Sequence, residues 1–353
     1  MGDTMNAIVM KSGQITQERA PLPVPGPGEI LVKSLACGVC GSDLHITRHT
    51  DEVLSFYRDI GLVGEAIAAD DSINLGHEFC AEVVSYGPGT QQAIAIGSRI
   101  TAAPILMTRE GAGIGVMPGT GGAYSEYFVV DEQLALPVPD NVPSQAAAVT
   151  EPLAVGLHAV NRSNIQQGDI ALVAGCGAIG LAVIAALKAK GVATIVASDP
   201  QSNKRDVALT MGATHGVNPM AQDEVQLVTE LAEDSKVVIF ECIGIHQMIA
   251  SFILRAPEKA RLVVTGIHTA DIQVNYAHAT VKELDIVFSY YYTPEEFAQC
   301  LSAIAAGQVN WQAMLTGSMG IDGVAEGIKV LLAPNDHIKV IVEPWRNGRL
   351  ERC

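Results

Sequence analysis

Apolar and polar positions follow two different periods along the chain. Residues 5–10 and 29–35 are short apolar runs with strand character. Between them, Pro21-Leu22-Pro23-Val24-Pro25-Gly26-Pro27-Gly28 forbids regular structure and predicts an extended loop. Residues 50–72 are acidic and mixed, with room for one short helix at 52–60. Strand patterns return at 79–85 and 96–102, on either side of a Gly87-Pro88-Gly89 turn. Residues 103–122 carry glycine at 111, 113, 115, 119, 121 and 122 with little periodicity, which predicts a long loop. A strand at 123–130 and an extended stretch at 134–138 lead to Pro139. Residues 141–160 read as a helix in two pieces, the second starting near Glu151-Pro152.

From residue 171 the pattern becomes strand, glycine turn, helix, strand, acid. Residues 171–174 are apolar and β-favouring, and Gly175-Cys176-Gly177-Ala178-Ile179-Gly180 follows. Ile179, Leu181, Val183, Ile184 and Leu187 then recur at helical spacing, and a β run at 193–197 ends at Asp199. In such a unit the first glycine permits a tight turn, the second lets a pyrophosphate approach the backbone, and the third lets helix pack on strand. The free N–H groups at the start of the helix would then meet the phosphates. Asp199 lies 19 residues past Gly180, where a carboxylate can accept hydrogen bonds from both ribose hydroxyls and repel a 2′-phosphate. This predicts NAD rather than NADP, a preference that Lys204 and Arg205 weaken. Residues 170–187 run 18 residues without a charge, near the length of a membrane span. The three glycines, Asp169 and Lys188 at the ends, and the β run that follows argue for the dinucleotide unit instead.

Strand patterns recur at 237–241, 261–265 and 285–289, with helical patterns at 204–211, 224–233 and 246–255 between them. This alternation predicts an α/β fold, a Rossmann doubly wound parallel sheet with helices on both faces. Helices at 295–306 and 321–332 and a strand at 338–342 complete the chain.

With 353 residues there is room for two domains, each with its own core. At 48% hydrophobic and 17% charged the chain is globular rather than disordered. A formal net charge of −16 argues against nucleic acid as a partner. The first 20 residues hold no apolar signal core, and the seven cysteines are an odd number at scattered spacings, so a cytoplasmic protein without a disulfide framework is expected.

Cys40, His77 and Glu78 are a thiolate, an imidazole and a carboxylate, a donor set that suits zinc. Cys37-x-x-Cys40 could equally be half of a structural zinc site, which needs a second pair that this sequence lacks, or a redox pair. His77 alone could be a buried, satisfied histidine. The residues by themselves leave a metal site and an ordinary packed core both open.

The ordered set Gly38-Val39-Cys40-Gly41-Ser42-Asp43-Leu44-His45, Gly76-His77-Glu78, Glu151-Pro152-Leu153-Ala154-Val155-Gly156-Leu157-His158 and the 175–180 turn resembles the zinc-dependent medium-chain dehydrogenase/reductase family. The likeness runs over nearly the whole chain, and Ser42 and Glu151 resemble its sorbitol (polyol) dehydrogenase branch. The resemblance implies a GroES-like β-rich catalytic domain formed by residues 1–156 and 295–353, around an NAD-binding domain at 157–294. It implies Cys40 and His77 as zinc ligands, Glu78 as a ligand or a carboxylate just behind the metal, and Glu151 at the third-ligand position. It further implies Ser42 as the hydroxyl that takes the substrate proton, Asp43 as the acid orienting His77, and His45 as a relay beside the nicotinamide ribose. Gly175, Gly177, Ala178, Ile179, Gly180, Asp199 and Lys204 would hold the cofactor. The expected reaction is zinc-dependent, NAD-linked oxidation of a secondary alcohol or polyol to a ketone, or its reverse. The alternatives are a zinc-free quinone or enoyl reductase of the same superfamily and a non-catalytic NAD-binding protein. The expected partners are a small alcohol or ketone and a second or further copies of the chain, as a homodimer or homotetramer, with no nucleic acid and no membrane.

Two departures from the family stand out. Its frequent lobe of four cysteines around a second, structural zinc has no counterpart, because 103–122 contains no cysteine. One catalytic zinc and no structural zinc is therefore expected. Residues 46–75 are longer than the usual connection and are expected to line the substrate cleft. Of the other cysteines, Cys80, Cys176 and Cys242 read as core, and Cys353 as an exposed terminal thiol. His49, His215, His246, His268, His278 and His337 show no partner pattern and are expected to be structural.

Overall fold

The computed structural model describes residues 3–62, 71–268 and 271–353. The chain forms two compact units, residues 1–151 with 315–353, and residues 152–314. The centre of the stretch expected to line the substrate cleft, 63–70, lies outside the described residues.

The first unit is β-rich. Its hub is the strand Glu29–Gly38, buried along most of its length. One side of this strand pairs antiparallel with Glu78–Tyr86. The other side pairs with Tyr127–Asp131 along its first half and with Lys339–Glu343 at its end. The C-terminal strands Leu315–Gly320 and Lys339–Glu343 thus complete a seven-stranded sheet begun by the hub strand at Glu29. Met319, Ile321, Val324, Ile328, Val340 and Val342 share one core with Ile30, Val32, Phe79, Tyr124 and Phe128. Burial of these side chains, each worth roughly 1.5–3 kcal/mol, draws the returning chain back into the unit.

Several elements here have no apolar period. Gln14–Pro21 is mostly exposed and polar, and forms because all eight residues pair with Thr4–Lys11 across a turn at Ser12-Gly13. The helix Gly41–Arg48 was not expected from its pattern; a cap stabilises it, as described below. The expected strand at 123–130 starts only at Tyr127, because Ala123 and Tyr124 turn to donate their N–H groups to Gly76 and Leu75. The expected long loop at 103–122 is an ordered lobe with a short hairpin, Ile105–Leu106 on Ala112–Gly113. Thr120 Oγ1 donates within it, to Gly113 O at 2.9 Å and Met117 O at 2.8 Å.

The second unit carries six parallel strands in the order His215–Val217, Thr194–Ser198, Ile170–Ala174, Val237–Glu241, Arg261–Val264, Asp285–Phe288. The order reverses between Ile170–Ala174 and Val237–Glu241, which opens a crevice at their carboxyl ends. Ile170–Ala174 and Val237–Glu241 are buried at every position, so their apolar runs show no alternation. The short strand His215–Val217 and helix Tyr276–Val281 lack any apolar signature and were not anticipated. The helix Pro294–Ala305, expected in the first unit, packs in the second. Glu296 on it accepts from Asn161 Nδ2 at 2.7 Å and pairs with His158 at 2.8 Å. The uncharged stretch 170–187 is strand, turn and helix, and among the described residues no helix is long and apolar enough to cross a membrane.

Candidate functional site

Strand register builds the first site. Gly38 lies opposite Glu78, and Cys37 opposite Phe79. Cys40, two residues beyond Gly38, therefore meets His77 and Glu78 at the entry of the neighbouring strand. A Cβ at Gly38 would come within 2.1 Å of Glu78 Oε2, so only glycine lets the carboxylate lie there. The donor atoms of Cys40, His77 and Glu78 all lie within 4.8 Å of one another.

Cys40 caps the helix Gly41–Arg48, and Asp43 in the first turn accepts the Cys40 N–H at 2.9 Å. The same Asp43 oxygen accepts from Tyr124 Oη at 2.7 Å. The other oxygen, Oδ1, faces His77 Nδ1 at 3.5 Å, and both atoms are buried without a hydrogen bond. Asp43 so placed favours the proton on Nδ1, which leaves the Nε2 lone pair toward Ser42 Oγ at 3.3 Å. Burial alone would push the His77 pKa down, but Asp43 and Cys40 beside it hold it well above the usual value. A dication in contact with Nε2 would replace that proton.

Glu78 has a partner that sequence did not suggest. Lys339 Nζ contacts both of its oxygens, at 2.7 and 2.6 Å, and Val39 O at 3.0 Å. Lys339 and Glu78 are both fully buried. Burial opposes the ammonium charge, but Glu78, with Cys40 and Glu151, raises the Lys339 pKa above its ordinary value. Glu151 is buried in the first turn of the helix Thr150–Ser163. Ser42 and His45 are exposed on the first helix. The covered part of the His45 ring loses solvent, and with repulsion from His49 this lowers its pKa and favours the neutral, proton-accepting ring. Cys37 does not join the cluster. Its thiol donates to Gly38 O, and burial, with Asp43 and Glu78 nearby, raises its pKa far above the usual range. The redox-pair and half-site readings of Cys37-x-x-Cys40 therefore fall.

The residues fit a zinc ion. They offer sulfur, imidazole and carboxylate donors, a histidine with a carboxylate behind it, and an orphaned buried Asp43 oxygen. Asp43, Glu78 and Glu151 are all buried, and the Lys339 ammonium bonds only Glu78 among them, so a nearby dication would have carboxylate charge to meet.

The second site lies in the other unit. Gly175 has φ +93°, and a Cβ there would meet the Cys242 carbonyl at 2.9 Å. A Cβ at Gly180 would sit 1.8 Å from Gly175 O, whereas at Gly177 it would enter open space. The first and third glycines thus serve the turn, and the second leaves room for a ligand. Gly177 caps the helix Ala178–Lys190 without a side-chain bond, so Ala178, Ile179 and their neighbours offer free N–H groups. Asp199 Oδ2 accepts from Cys176 N at 3.0 Å and Oδ1 from Gln201 N at 2.9 Å. Arg205 turns away to donate to Asp199 O and Pro200 O, leaving Lys204 half-buried near the loop.

Residues 26–140 match the alcohol dehydrogenase GroES-like domain, and residues 178–306 the zinc-binding dehydrogenase domain. The (R,R)-butanediol dehydrogenase of Neisseria gonorrhoeae is 30% identical over 94% of this chain and 97% of its own. The chain belongs to the zinc-type medium-chain alcohol and polyol dehydrogenase family. Sorbitol dehydrogenase of Bacillus subtilis is 27% identical over 96% of this chain and 97% of its own length. The crystal structure of 2R,3R-butanediol dehydrogenase from Bacillus subtilis superposes with a TM-score of 0.81 at 29% identity, over 96% and 99% of the two chains. This dehydrogenase is thus an oxidoreductase of the alcohol and polyol dehydrogenase family, with a GroES-like domain and a Rossmann sheet.

Two residues of the dehydrogenase's first site escaped the sequence reading. Lys339 left a signal, as a lone cation in the apolar run 338–342. Tyr124 left none, since it reaches Asp43 only through the turn that pairs 123–124 with 75–76.

Proposed function

We propose that this dehydrogenase oxidises a secondary carbon of a small diol or polyol to the ketone, reversibly, with one zinc per chain and NAD. The observation that carries the proposal is the convergence of Cys40, His77 and Glu78 donors within 4.8 Å, backed by Asp43. Cys40, His77 and Glu151 hold the metal in this reading, and Glu78 stands behind it, its oxygens occupied by Lys339. Bound zinc supplies a Lewis acid that lowers the pKa of an alcohol hydroxyl, and the nicotinamide supplies the hydride acceptor. The chain's own residues do the rest. Asp43 fixes the His77 tautomer and the helix start that carries Cys40. Ser42 Oγ takes the hydroxyl proton, and the neutral His45 ring receives it. Gly177 and the helix N-terminus take the pyrophosphate, and Asp199 takes the adenosine ribose and disfavours a 2′-phosphate. Residues 103–122 contain no cysteine that could hold a second ion, which supports a single zinc.

The open six-stranded sheet ends at Asp285–Phe288, where no described strand covers the outer side. Phe288, Tyr290, Tyr276 and Val281 are exposed beside that edge. An uncovered apolar edge favours pairing with its own copy about a two-fold axis, so a homodimer through this edge is the proposed assembly. All seven cysteines are unpaired, which suits the cytoplasm.

Metal analysis together with a turnover panel tests the assignment. The expected result is one zinc per chain, EDTA-sensitive and zinc-restored reduction of NAD by 2,3-butanediol or sorbitol, and weaker turnover with NADP or primary alcohols. Cys40→Ser should lose both metal and turnover. Full zinc content and full turnover in Cys40→Ser would remove the metal assignment.

A further inference from the structure

The second unit contains a buried acid that the reaction above does not use. Glu241 closes the strand Val237–Glu241, opposite Ala174 on one side and Val264 on the other. It is fully buried, and no lysine or arginine pairs with it among the described residues. A lone buried carboxylate costs more than an apolar residue in the same place, so its bonds are informative. Oε1 accepts from Ile243 N at 2.9 Å and Gly244 N at 2.8 Å. Oε2 meets His268 Nε2 at 3.3 Å, and the His268 side chain is itself almost buried. The Glu241 carbonyl accepts from Thr265 N at 3.1 Å and Thr265 Oγ1 at 2.6 Å.

One residue therefore ties together the two segments that leave adjacent strands at the carboxyl edge, 242–244 and 265–268. The packing between them is tight. A Cβ at Gly266 would lie 3.1 Å from Gly244 Cα and 3.2 Å from His268 Nε2. The tied segments also abut the phosphate loop, because Gly175 leaves no room for a Cβ against the Cys242 carbonyl. Above the buried pair, Ile243, Ile245 and Ile267 expose apolar side chains. The strand that Glu241 closes borders the point where the strand order reverses, where a dinucleotide binds in this class of sheet.

We propose that Glu241 and His268 act as a clamp. The pair fixes 242–244 and 265–268 as one preorganised wall that receives the nicotinamide–riboside half of the cofactor, with Ile243 and Ile267 against its apolar face. Both are positioning residues. His268 is not the bystander its sequence context suggests. The proposal rests on the dinucleotide reading of the 175–180 turn.

The test uses the full-length, zinc-loaded enzyme. NADH affinity is measured by fluorescence titration, and KM for NAD and kcat by initial rates. His268→Ala should weaken NADH binding and raise the NAD KM about tenfold, the worth of one hydrogen bond to a charged group, with a smaller fall in kcat. His268→Asn, which keeps a neutral donor, should recover most of the loss. Glu241→Gln should behave like His268→Ala, and the double variant should be no worse than either single one. NADH affinity unchanged in His268→Ala, additive losses in the double variant, or a lowered melting temperature with normal NADH affinity would each overturn the clamp. Wild-type enzyme that binds neither NADH nor NADPH would remove the cofactor reading and the clamp together. Wild-type binding that persists undiminished in the variants removes the clamp alone.

Discussion

One half-buried ion pair, Glu29 with Arg109, ties the lobe at 103–122 to the hub strand, and breaking it measures what that tie contributes. Glu29 is 1% exposed at the start of the hub strand. Arg109 grips both its oxygens, Nε to Oε1 at 2.6 Å and Nη2 to Oε2 at 2.8 Å. Gly26 N adds a bond at 2.8 Å and Thr108 Oγ1 one at 3.2 Å, while Arg109 Nη1 reaches Gly119 O at 3.2 Å. Arg109→Leu would leave Glu29 buried with two donors. Breaking a buried pair from one side costs roughly 3–5 kcal/mol. The Arg109 side chain is 39% exposed, so solvent screening reduces this to about 2 kcal/mol. At 2–4 °C per kcal/mol for a unit of this size, the melting transition should fall by about 4–8 °C. Replacing both residues with leucine should recover most of the loss.

The pH dependence of the same variant has a definite sign. Burial pushes the Glu29 carboxyl up, but Arg109, Gly26 and Thr108 outweigh it and hold the pKa below the usual value. A carboxyl depressed on folding contributes stability that is complete above its unfolded pKa of about 4.3 and is lost as pH falls through the lower folded value. The difference between wild type and Arg109→Leu should therefore be largest at neutral pH and shrink in acid. Thermal unfolding by circular dichroism across that range decides it. A variant within about 0.5 kcal/mol of wild type at neutral pH, or a difference that persists undiminished in acid, would refute the role given to the pair.

Two further outcomes follow from the geometry. Tyr124→Phe removes one of the bonds that aim Asp43 at His77 and should weaken zinc binding about tenfold, read by competition with a chromophoric chelator; equal affinity would mean that the aim is set elsewhere. Phe288→Lys places a charge on the uncovered strand edge and should convert a dimer to a monomer in light scattering, while an unchanged mass would move the interface to another face.

How much of this was visible in the sequence depends on how local each signal is. The glycine turn at 175–180, the buried strands and Asp199 are readable because a dinucleotide imposes fixed spacing on one continuous stretch. Gln14–Pro21 and His215–Val217 are not, because pairing with a neighbour rather than their own pattern makes them strands. The helix Gly41–Arg48 hides behind a cysteine cap, an uncommon residue for that position. The end of the catalytic unit was misjudged because Glu296 meets His158 and Asn161 over a separation of more than 130 residues, a contact no window reports. Lys339 and Tyr124 reach the site from 261 and 81 residues away from Glu78 and Asp43, respectively.

Lys339 also bears on which carboxylate serves the metal. His77 precedes the strand that Glu78 opens, and the two side chains take different partners. The His77 side faces Asp43 and Ser42. The Glu78 side faces Gly38 and the Lys339 ammonium, which contacts both oxygens. That pair is neutral as it stands, and moving Glu78 onto a metal would strand a buried ammonium, at a cost of several kcal/mol. Under the proposed ligand set, the charge that balances a dication would then come from Cys40 as thiolate and from Glu151, which also acts on Lys339. On this reasoning Lys339→Met should free Glu78 to compete for the metal, and the zinc-edge absorption spectrum should change its oxygen coordination. A spectrum identical to wild type would mean that Glu78 has no access to the ion whatever its partner.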